Sequence, residues 1–348
     1  MKLYKKHLIL SGTKIKDALI LLEKLTQDSI LFVINNKEIL LGTISDGDVR
    51  RALIKGITIE TQVNSIMEKN PKFITKGENN IQDIIEYRKE NYRIVPVLNK
   101  NRKIISIINF RKIKSYLPID AVIMAGGRGK RLKPLTNNTP KPLLKVGGKS
   151  ILEHNIDRLA LFGIDDFWIS LNYLGEQIQN HIGDGNKRNI NINYVWEKKP
   201  KGTIGAVSQI KNFQHDYILI TNSDLLTNID YETFFLEFIN QNADAAVLSI
   251  PYQVNIPYAI LETNNGAIKG LKEKPTYTYY SNGGLYLLKK EMLKYIPKNK
   301  FFNATDLIEE LIKQKFKVSS IPFSGYWLDI GKSEDFKKAE LDINQIKF

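Results

Sequence analysis

The sequence predicts an α/β chain in two parts: a Rossmann-like, mostly parallel sheet over residues 119–348, preceded by a tandem α+β module over residues 1–117. Three observations carry this. From residue 119 onward, apolar strand-like runs alternate with helical segments, the pattern of a parallel sheet covered on both faces. Residues 121–125, Ala-Val-Ile-Met-Ala, run as an apolar strand into the glycine-rich, basic loop Gly126-Gly-Arg-Gly-Lys-Arg131. In the first part, residues 31–42 align without gaps onto residues 95–106, an internal repeat. The length of 348 residues also exceeds the roughly 100–200 usual for one domain.

Each copy of the repeat reads as an apolar strand, a polar turn of Asn and Lys, and a second apolar strand, which is a β-hairpin. A helical pattern precedes each copy, over residues 15–25 and 81–89, and a short closing helix is expected over residues 48–55. Neither unit is expected to bury its apolar face alone. A short connection through Pro118 leads into the second part. There, strands are expected at residues 121–125, 166–171, 190–195, 217–221 and 245–250, with helices at 151–162, 204–211 and 231–240. Residues 258–288 contain Asn264-Asn-Gly266 and Asn282-Gly-Gly284 turns and read as short strands in an antiparallel extension. A last helix is expected over residues 334–343, and no hexapeptide repeat suggests an attached β-helix.

Composition excludes several classes. There are no cysteines, so structural disulfides and thiolate metal sites are out, which fits a reducing, cytoplasmic setting. No apolar run approaches the ~18 residues of a membrane span, and the start, Met1-Lys-Leu-Tyr-Lys-Lys-His7, lacks a signal-peptide core. A chain that is neither exported nor membrane-bound is expected. The net charge of +14 is spread along the chain, with Lys dominating over Arg and no nucleic-acid-reading motif. A basic surface suited to anionic nucleotides, and no nucleic-acid partner, is the expectation.

The glycine loop is the centre of the chemical reading. Without a Cβ, backbone N–H groups approach phosphate oxygens closely. Arg131 and Lys141 can neutralise a polyphosphate, Arg bidentately. The loop is not a Walker A, because no Gly-Lys-Ser/Thr follows, and it lacks the six-residue Rossmann glycine pattern. Asp224 ends an apolar strand, where open α/β sheets bind ligands and a carboxylate can reach Mg²⁺. By itself it reads equally well as the cap of a following helix. Asp329, in Tyr326-Trp-Leu-Asp-Ile-Gly331, reads alone as a ligand or an ordinary turn residue.

Gly-Gly-x-Gly-x-Arg-Leu followed by Pro-Lys-Pro closely resembles the signature of the sugar-1-phosphate nucleotidylyltransferases, enzymes of GT-A-like fold. The resemblance covers residues 119 to about 335 and implies roles for particular residues. Ala125, Gly126, Gly127 and Gly129 would cradle the nucleotide, Arg131 would stabilise pyrophosphate, and Lys141 would guide a substrate. Asp224 and Asp329 would hold Mg²⁺. The segment Glu197-Lys-Lys-Pro-Lys-Gly-Thr-Ile-Gly-Ala206 is similar to the family's base-binding segment, with Gly202 and Thr203 bringing backbone against the base. Relatives that use thymidylate or uridylate carry Gln where Glu197 stands. A carboxylate accepts from guanine N1–H and its 2-amino group, which favours GTP, although Glu197 facing solvent or Lys198 stays open. Glu273 and Lys274 match the sugar-phosphate Glu-Lys-Pro, and Asn282 and Gly283 match the Asn-x-Gly-x-Tyr segment under the sugar; each segment taken alone is also a plain surface turn. Asn172 would line the sugar pocket. Ala259 departs from the usual Pro-Tyr-Gly and bears on which sugar fits.

In the first part, Gly42-Thr-Ile-Ser-Asp-Gly-Asp-Val-Arg-Arg51 resembles the adenosine-binding signature of CBS domains, with Ser45 and Asp48 as the ligand residues. The second copy has Asn109 and Lys112 there, so at most one adenine-nucleotide site is expected, or a purely dimerising pair. The combination is similar to the glucosamine-1-phosphate guanylyltransferases of nonulosonate (legionaminic-type) sugar synthesis. That resemblance implies a homo-oligomer taking an NTP and a sugar 1-phosphate to an NDP-sugar and pyrophosphate, for surface or flagellar glycan precursors. Heptose or other hexose 1-phosphates with GTP, UTP, dTTP or CTP are the alternative substrates. A nucleotide-sensing CBS protein without catalysis is the alternative of another class.

Overall fold

The structure is a computed structural model that describes residues 3–78 and 80–346. The chain divides into two compact units, residues 1–118 with 160–165 and 185–191, and residues 119–159, 166–184 and 192–348.

The first unit is built twice from one plan. β1 (Leu8–Leu10), α1 (Ile15–Leu25), β2 (Ile30–Ile34), β3 (Leu40–Ser45) and α2 (Asp46–Ile54) form the first copy. β4 (Ile74–Thr75), α3 (Ile81–Lys89), β5 (Ile94–Leu98) and β6 (Ile104–Asn109) form the second. In each copy a first strand runs parallel to the second, and the second pairs antiparallel with the third. The turn chemistry is repeated as well. Asn35 Oδ1 accepts from the N–H groups of Lys37 and Ile39, and Asn99 Oδ1 from those of Asn101 and Lys103. These are Asx-type turns, in which a short side chain substitutes for backbone. Ile39 and Lys103 form an antiparallel bridge between the two turns. Phe32, Ile34 and Leu40 share a core with Ile94, Leu98 and Ile104, so each copy covers the other's apolar face. Only the first copy goes on into a closing helix, because Ser45 and Asp48 make a capping box there. At the matching place Asn109 Oδ1 accepts from the N–H of Arg111, which turns the chain instead.

The second unit holds β7 (Ile119–Met124), β8 (Lys145–Val146), β9 (Lys149–Ser150), α4 (Ile151–Leu161), β10 (Asp166–Leu171), α5 (Gly175–Ile182), β11 (Asn191–Trp196), β12 (Tyr217–Asn222), β13 (Leu225–Thr227) and α6 (Tyr231–Asn240). It continues through β14 (Ala245–Asn255), β15 (Ile260–Asn264), β16 (Ala267–Lys272), β17 (Thr276–Lys289), α7 (Ala304–Lys313), β18 (Val318–Pro322), β19 (Trp327–Asp329) and α8 (Ser333–Asp342). The central sheet has the order β11-β10-β7-β12-β17-β14-β18. β7 is parallel to β10 and β12, β14 is parallel to β18, and β17 runs antiparallel to β12 and β14. The sheet is therefore mostly parallel with one inverted strand inserted.

Two expectations need correction. Residues 276–289 form one strand of 14 residues rather than several short ones. It pairs with β14 past the sheet to Asn255, making a long arm with the β15–β16 hairpin beyond it. The helix expected over 204–211 is a five-residue 3-10 turn, Gly205–Gln209. Ile204 N–H and Gly205 N–H both donate to the carbonyl of Phe302, so a long-range partner holds the amides that would begin a helix. α7, whose Leu307 and Leu311 pack with Ile204, Ala206 and Val207, was not foreseen. Neither were α5 and β18. Among the described residues no helix is long and apolar enough to cross a membrane.

Candidate active site

Because β7 and β12 are parallel neighbours, their carboxyl ends open together. Beyond β7 comes the glycine loop, and beyond β12 comes Asp224; Ser223 N–H donates to the Met124 carbonyl at 3.3 Å and ties the two ends. A cavity of about 280 Å³ lies there. Gly126, Gly127, Lys141, Glu197, Gly202, Thr203 and Asp224 all line it, so seven of the residues read from sequence converge on one space. Ala125 is fully buried beneath, its N–H donating to the Ser170 carbonyl.

The loop's shape follows from close approach. Gly129 has φ of 59°, and a Cβ there would stand 3.0 Å from both Lys141 and Thr136. Thr136 Oγ1 donates to the Gly129 carbonyl at 2.8 Å and fixes the loop. Lys141, 8% exposed, sits between Pro140 and Pro142 in a short 3-10 turn, and its Nζ is paired with Asp224 Oδ2.

The two acids meet through a small ladder. β13 pairs antiparallel with β19, setting Leu225 opposite Asp329, and Ile330 N–H donates to the Asp224 carbonyl at 3.0 Å. Asp224 Oδ1 and Asp329 Oδ1 are both buried and accept no hydrogen bond among the described residues. Burial, and then the neighbouring Asp224 charge, pushes the Asp329 carboxyl above its usual range, while Lys141 and Arg131 pull it down. The Arg131 guanidinium lies against Gly331, where an added Cβ would stand 3.6 Å from Nη1 and Nη2. Two orphaned carboxylate oxygens side by side, with Lys141 as a standing cation, suit a divalent ion that takes one or two carboxylates. The reading of Asp224 as a helix cap does not hold, since it leads into β13 and α6 is capped by Asp230.

Glu197 is 7% exposed. It does not face solvent or Lys198. Its Oε2 accepts from the N–H of Lys201 at 2.8 Å, and its Oε1 would be 3.0 Å from a Cβ on Gly126, so it stands over the glycine floor. Burial raises its carboxyl, with the Lys201 amide and Ser170 opposing. Asn172 Nδ2 donates to the Glu197 carbonyl at 2.7 Å, so Asn172 buttresses this wall.

Gly202, which lines the cavity, has a second, steric role. Its φ is +80°, and a Cβ there would stand 2.5 Å from the Phe302 carbonyl oxygen. It lets the segment before α7 dock on the base-side loop. Thr203 is held the same way, its N–H donating to Asn303 Oδ1 and its Oγ1 accepting from the Ala304 N–H.

In the segment expected to lie under a sugar, Asn282 Oδ1 accepts from the Gly284 N–H, and the Gly283 carbonyl accepts from Trp327 Nε1 at 2.9 Å. Gly284 abuts Asn222, which lines the cavity. Glu273 and Lys274, by contrast, are exposed on the arm and make no hydrogen bond or ion pair among the described residues. Ala259 is exposed on the same arm. Residues missed in sequence are Phe301, Asn303, Ser170 and Trp327. Asn303-Ala-Thr-Asp306 carried a legible signal, the capping box that starts α7; the other three carried none.

The family profile for nucleotidyl transferases matches residues 120–346. The chain belongs to the nucleotidyl transferase family. Among relatives of this chain, the bifunctional protein GlmU of Methanocaldococcus jannaschii is 32% identical over 228 residues, covering 64% of this chain and 53% of its own. The D-glycero-alpha-D-manno-heptose 1-phosphate guanylyltransferase of Aneurinibacillus thermoaerophilus is 29% identical, covering 65% of this chain and 98% of its own. The chain thus spans only about half of the first relative. Among solved structures, HddC from Yersinia pseudotuberculosis complexed with GMP-PN superposes with a TM-score of 0.50 at 25% identity, over 64% of this chain and 99% of that one.

Proposed function

We propose that the second unit transfers a nucleotidyl group from GTP to a sugar 1-phosphate, with glucosamine 1-phosphate the first choice, releasing an NDP-sugar and pyrophosphate. The observation that carries the reading is the pair Asp224–Asp329, with orphaned oxygens, beside a glycine-floored cavity lined by Lys141 and Glu197. A phosphate oxygen of the sugar 1-phosphate bonds to the α-phosphorus, the bond to the bridging oxygen of the β-phosphate breaks, and pyrophosphate leaves with that electron pair. Such chemistry asks for positioning and charge neutralisation rather than a nucleophilic side chain. The glycine loop binds the triphosphate, Lys141 and Arg131 neutralise it, and Asp224 and Asp329 would hold Mg²⁺. The ion, when bound, withdraws charge from phosphate oxygens. Lys274 and Glu273 would act on the sugar phosphate only if the arm folds onto the cavity.

Guanine is supported by Glu197, whose buried carboxylate fits the adjacent N1–H and 2-amino donors of guanine, whereas uracil offers a single N–H between two carbonyl acceptors. The names of the heptose guanylyltransferase relative and of the GMP-PN complex agree with this. A matrix of GTP, UTP, dTTP and CTP against glucosamine, mannose, glucose and heptose 1-phosphates, read as pyrophosphate release, tests it. Turnover with UTP or dTTP above GTP would overturn the guanine reading, and no turnover with any pair would overturn the activity.

For the first unit we propose a CBS pair, on the twofold repeat of strand, helix and hairpin. Ser45 and Asp48 are its candidate adenine-nucleotide ligands. At present they satisfy each other: Ser45 N–H and Oγ both donate to Asp48 Oδ2, and Arg51 pairs with Oδ1. A nucleotide ribose would have to replace the Arg51 contact. Calorimetry of the full chain with AMP, ADP and ATP decides between one site and none.

A further inference from the structure

We propose that Phe301 is the stacking platform for the nucleotide base, an inference that rests on the cavity being the nucleotide site. Among the described residues Phe301 is the single aromatic lining that cavity, alongside Glu197, Gly202 and Thr203. It is 66% exposed, so it adds nothing to the core despite its size.

Its backbone, however, is held firmly on both sides. Phe302 N–H donates to the Lys201 carbonyl at 2.9 Å, and the Phe302 carbonyl accepts from the Ile204 and Gly205 N–H groups at 3.2 and 3.1 Å. Asn299 Oδ1 accepts from Lys201 Nζ at 3.1 Å, and Asn303 Oδ1 accepts from the Thr203 N–H at 3.3 Å. Gly202 makes this docking sterically feasible. A loop fixed by this many bonds, displaying one large apolar ring to solvent at a pocket rim, is preorganised for a partner that supplies a flat apolar face.

The nucleobase is that partner. Hydrogen bonds from a base edge to Glu197 Oε1 lie in the ring plane, which leaves the base faces to the walls. Those walls offer Pro200, Met124 and Pro142 besides Phe301, and of these described residues Phe301 alone offers a π-face. Stacking is tolerant of base identity, so Phe301 supplies affinity while Glu197 supplies choice. A purine, with the larger face, gains more than a pyrimidine.

The test measures equilibrium binding of GTP and UTP, and KM and kcat for both substrates, in the full-length wild type, Phe301→Ala, Phe301→Trp and Glu197→Gln. Phe301→Ala should weaken GTP binding about tenfold or more and raise its KM, with a smaller loss for UTP and an unchanged KM for the sugar 1-phosphate. Phe301→Trp should restore affinity, and its fluorescence, measured against wild type, should be quenched by GTP. Thermal unfolding of Phe301→Ala should match wild type, since the ring is exposed. Unchanged nucleotide affinity in Phe301→Ala, or a loss confined to the KM of the sugar 1-phosphate, would overturn the proposal. A wild type preferring UTP would refute the Glu197 argument alone, because the Phe301 effect is then read on UTP.

Discussion

β7 and β12 have carboxylates at both ends, and the two ends use them in opposite ways. At the amino end Asp120 is fully buried; its Oδ2 accepts from the His215 N–H at 2.7 Å and its Oδ1 has no hydrogen-bond partner among the described residues. Burial, with the Asp166 charge beside it, pushes its carboxyl up to about 6 against the opposing pull of His215. At the carboxyl end Asp224 is paired with Lys141, and Asp329 feels both Lys141 and Arg131. For this sealed acid burial outweighs His215, and the carboxyl organises the turn at His215. At the cavity rim burial also raises the Asp329 carboxyl, but there Lys141 and Arg131 oppose it and the acids are open to a ligand.

The largest effect should separate the two ends by activity. Asp224→Asn should raise the barrier to turnover by several kcal/mol, about a thousandfold in rate, with the fold retained. Pyrophosphate release at limiting Mg²⁺ reads it, and near-normal turnover would break the comparison. Within the carboxyl end, Glu197→Gln should narrow the GTP preference by roughly ten- to a hundredfold, without a comparable loss of kcat on the better nucleotide. Competition between GTP and UTP measures the ratio.

At the amino end the effect should appear in stability and not in rate. A carboxyl raised in the folded state to about 6 from 3.8 favours folding while protonated, and that contribution fades as pH climbs through about 6. Asp120→Asn removes the charge, so relative to wild type it should gain about 1–3 kcal/mol between pH 4 and pH 8, with kcat unaltered. Urea unfolding at both pH values reports the gap; a constant difference would count against the assignment. The smallest effect is expected from Asp48→Ala in the first unit. Losing the capping box should cost about 1 kcal/mol and remove any adenine-nucleotide binding, while turnover in the absence of adenine nucleotide stays as it was.

Much of this was legible locally. The glycine loop, the strand 166–171 and the helix 231–240 announce themselves through composition and period, because backbone propensity and apolar spacing act over a few residues. The doubled hairpin was readable for the same reason, since Asn35 and Asn99 organise turns from within four residues. What the sequence alone determined, then, is which chemistry-bearing residues exist and which short elements present them.

The tertiary structure decided which of them meet. Asp224 and Asp329 adjoin because β13 and β19 pair across about a hundred residues, and no local signal encodes that register. The expected helix after Thr203 became a 3-10 turn because Phe302 takes its first amides, and the same docking gives Gly202 its need for positive φ. Phe301 reads in sequence as one more aromatic; only the fixed loop beneath it turns it toward the cavity. Lys274 and Glu273 sit in a motif as clear as any other, yet the paired β14–β17 arm carries them past the sheet into solvent. Long-range hydrogen bonding and packing set these distances, and such terms are sums over partners far apart in the chain.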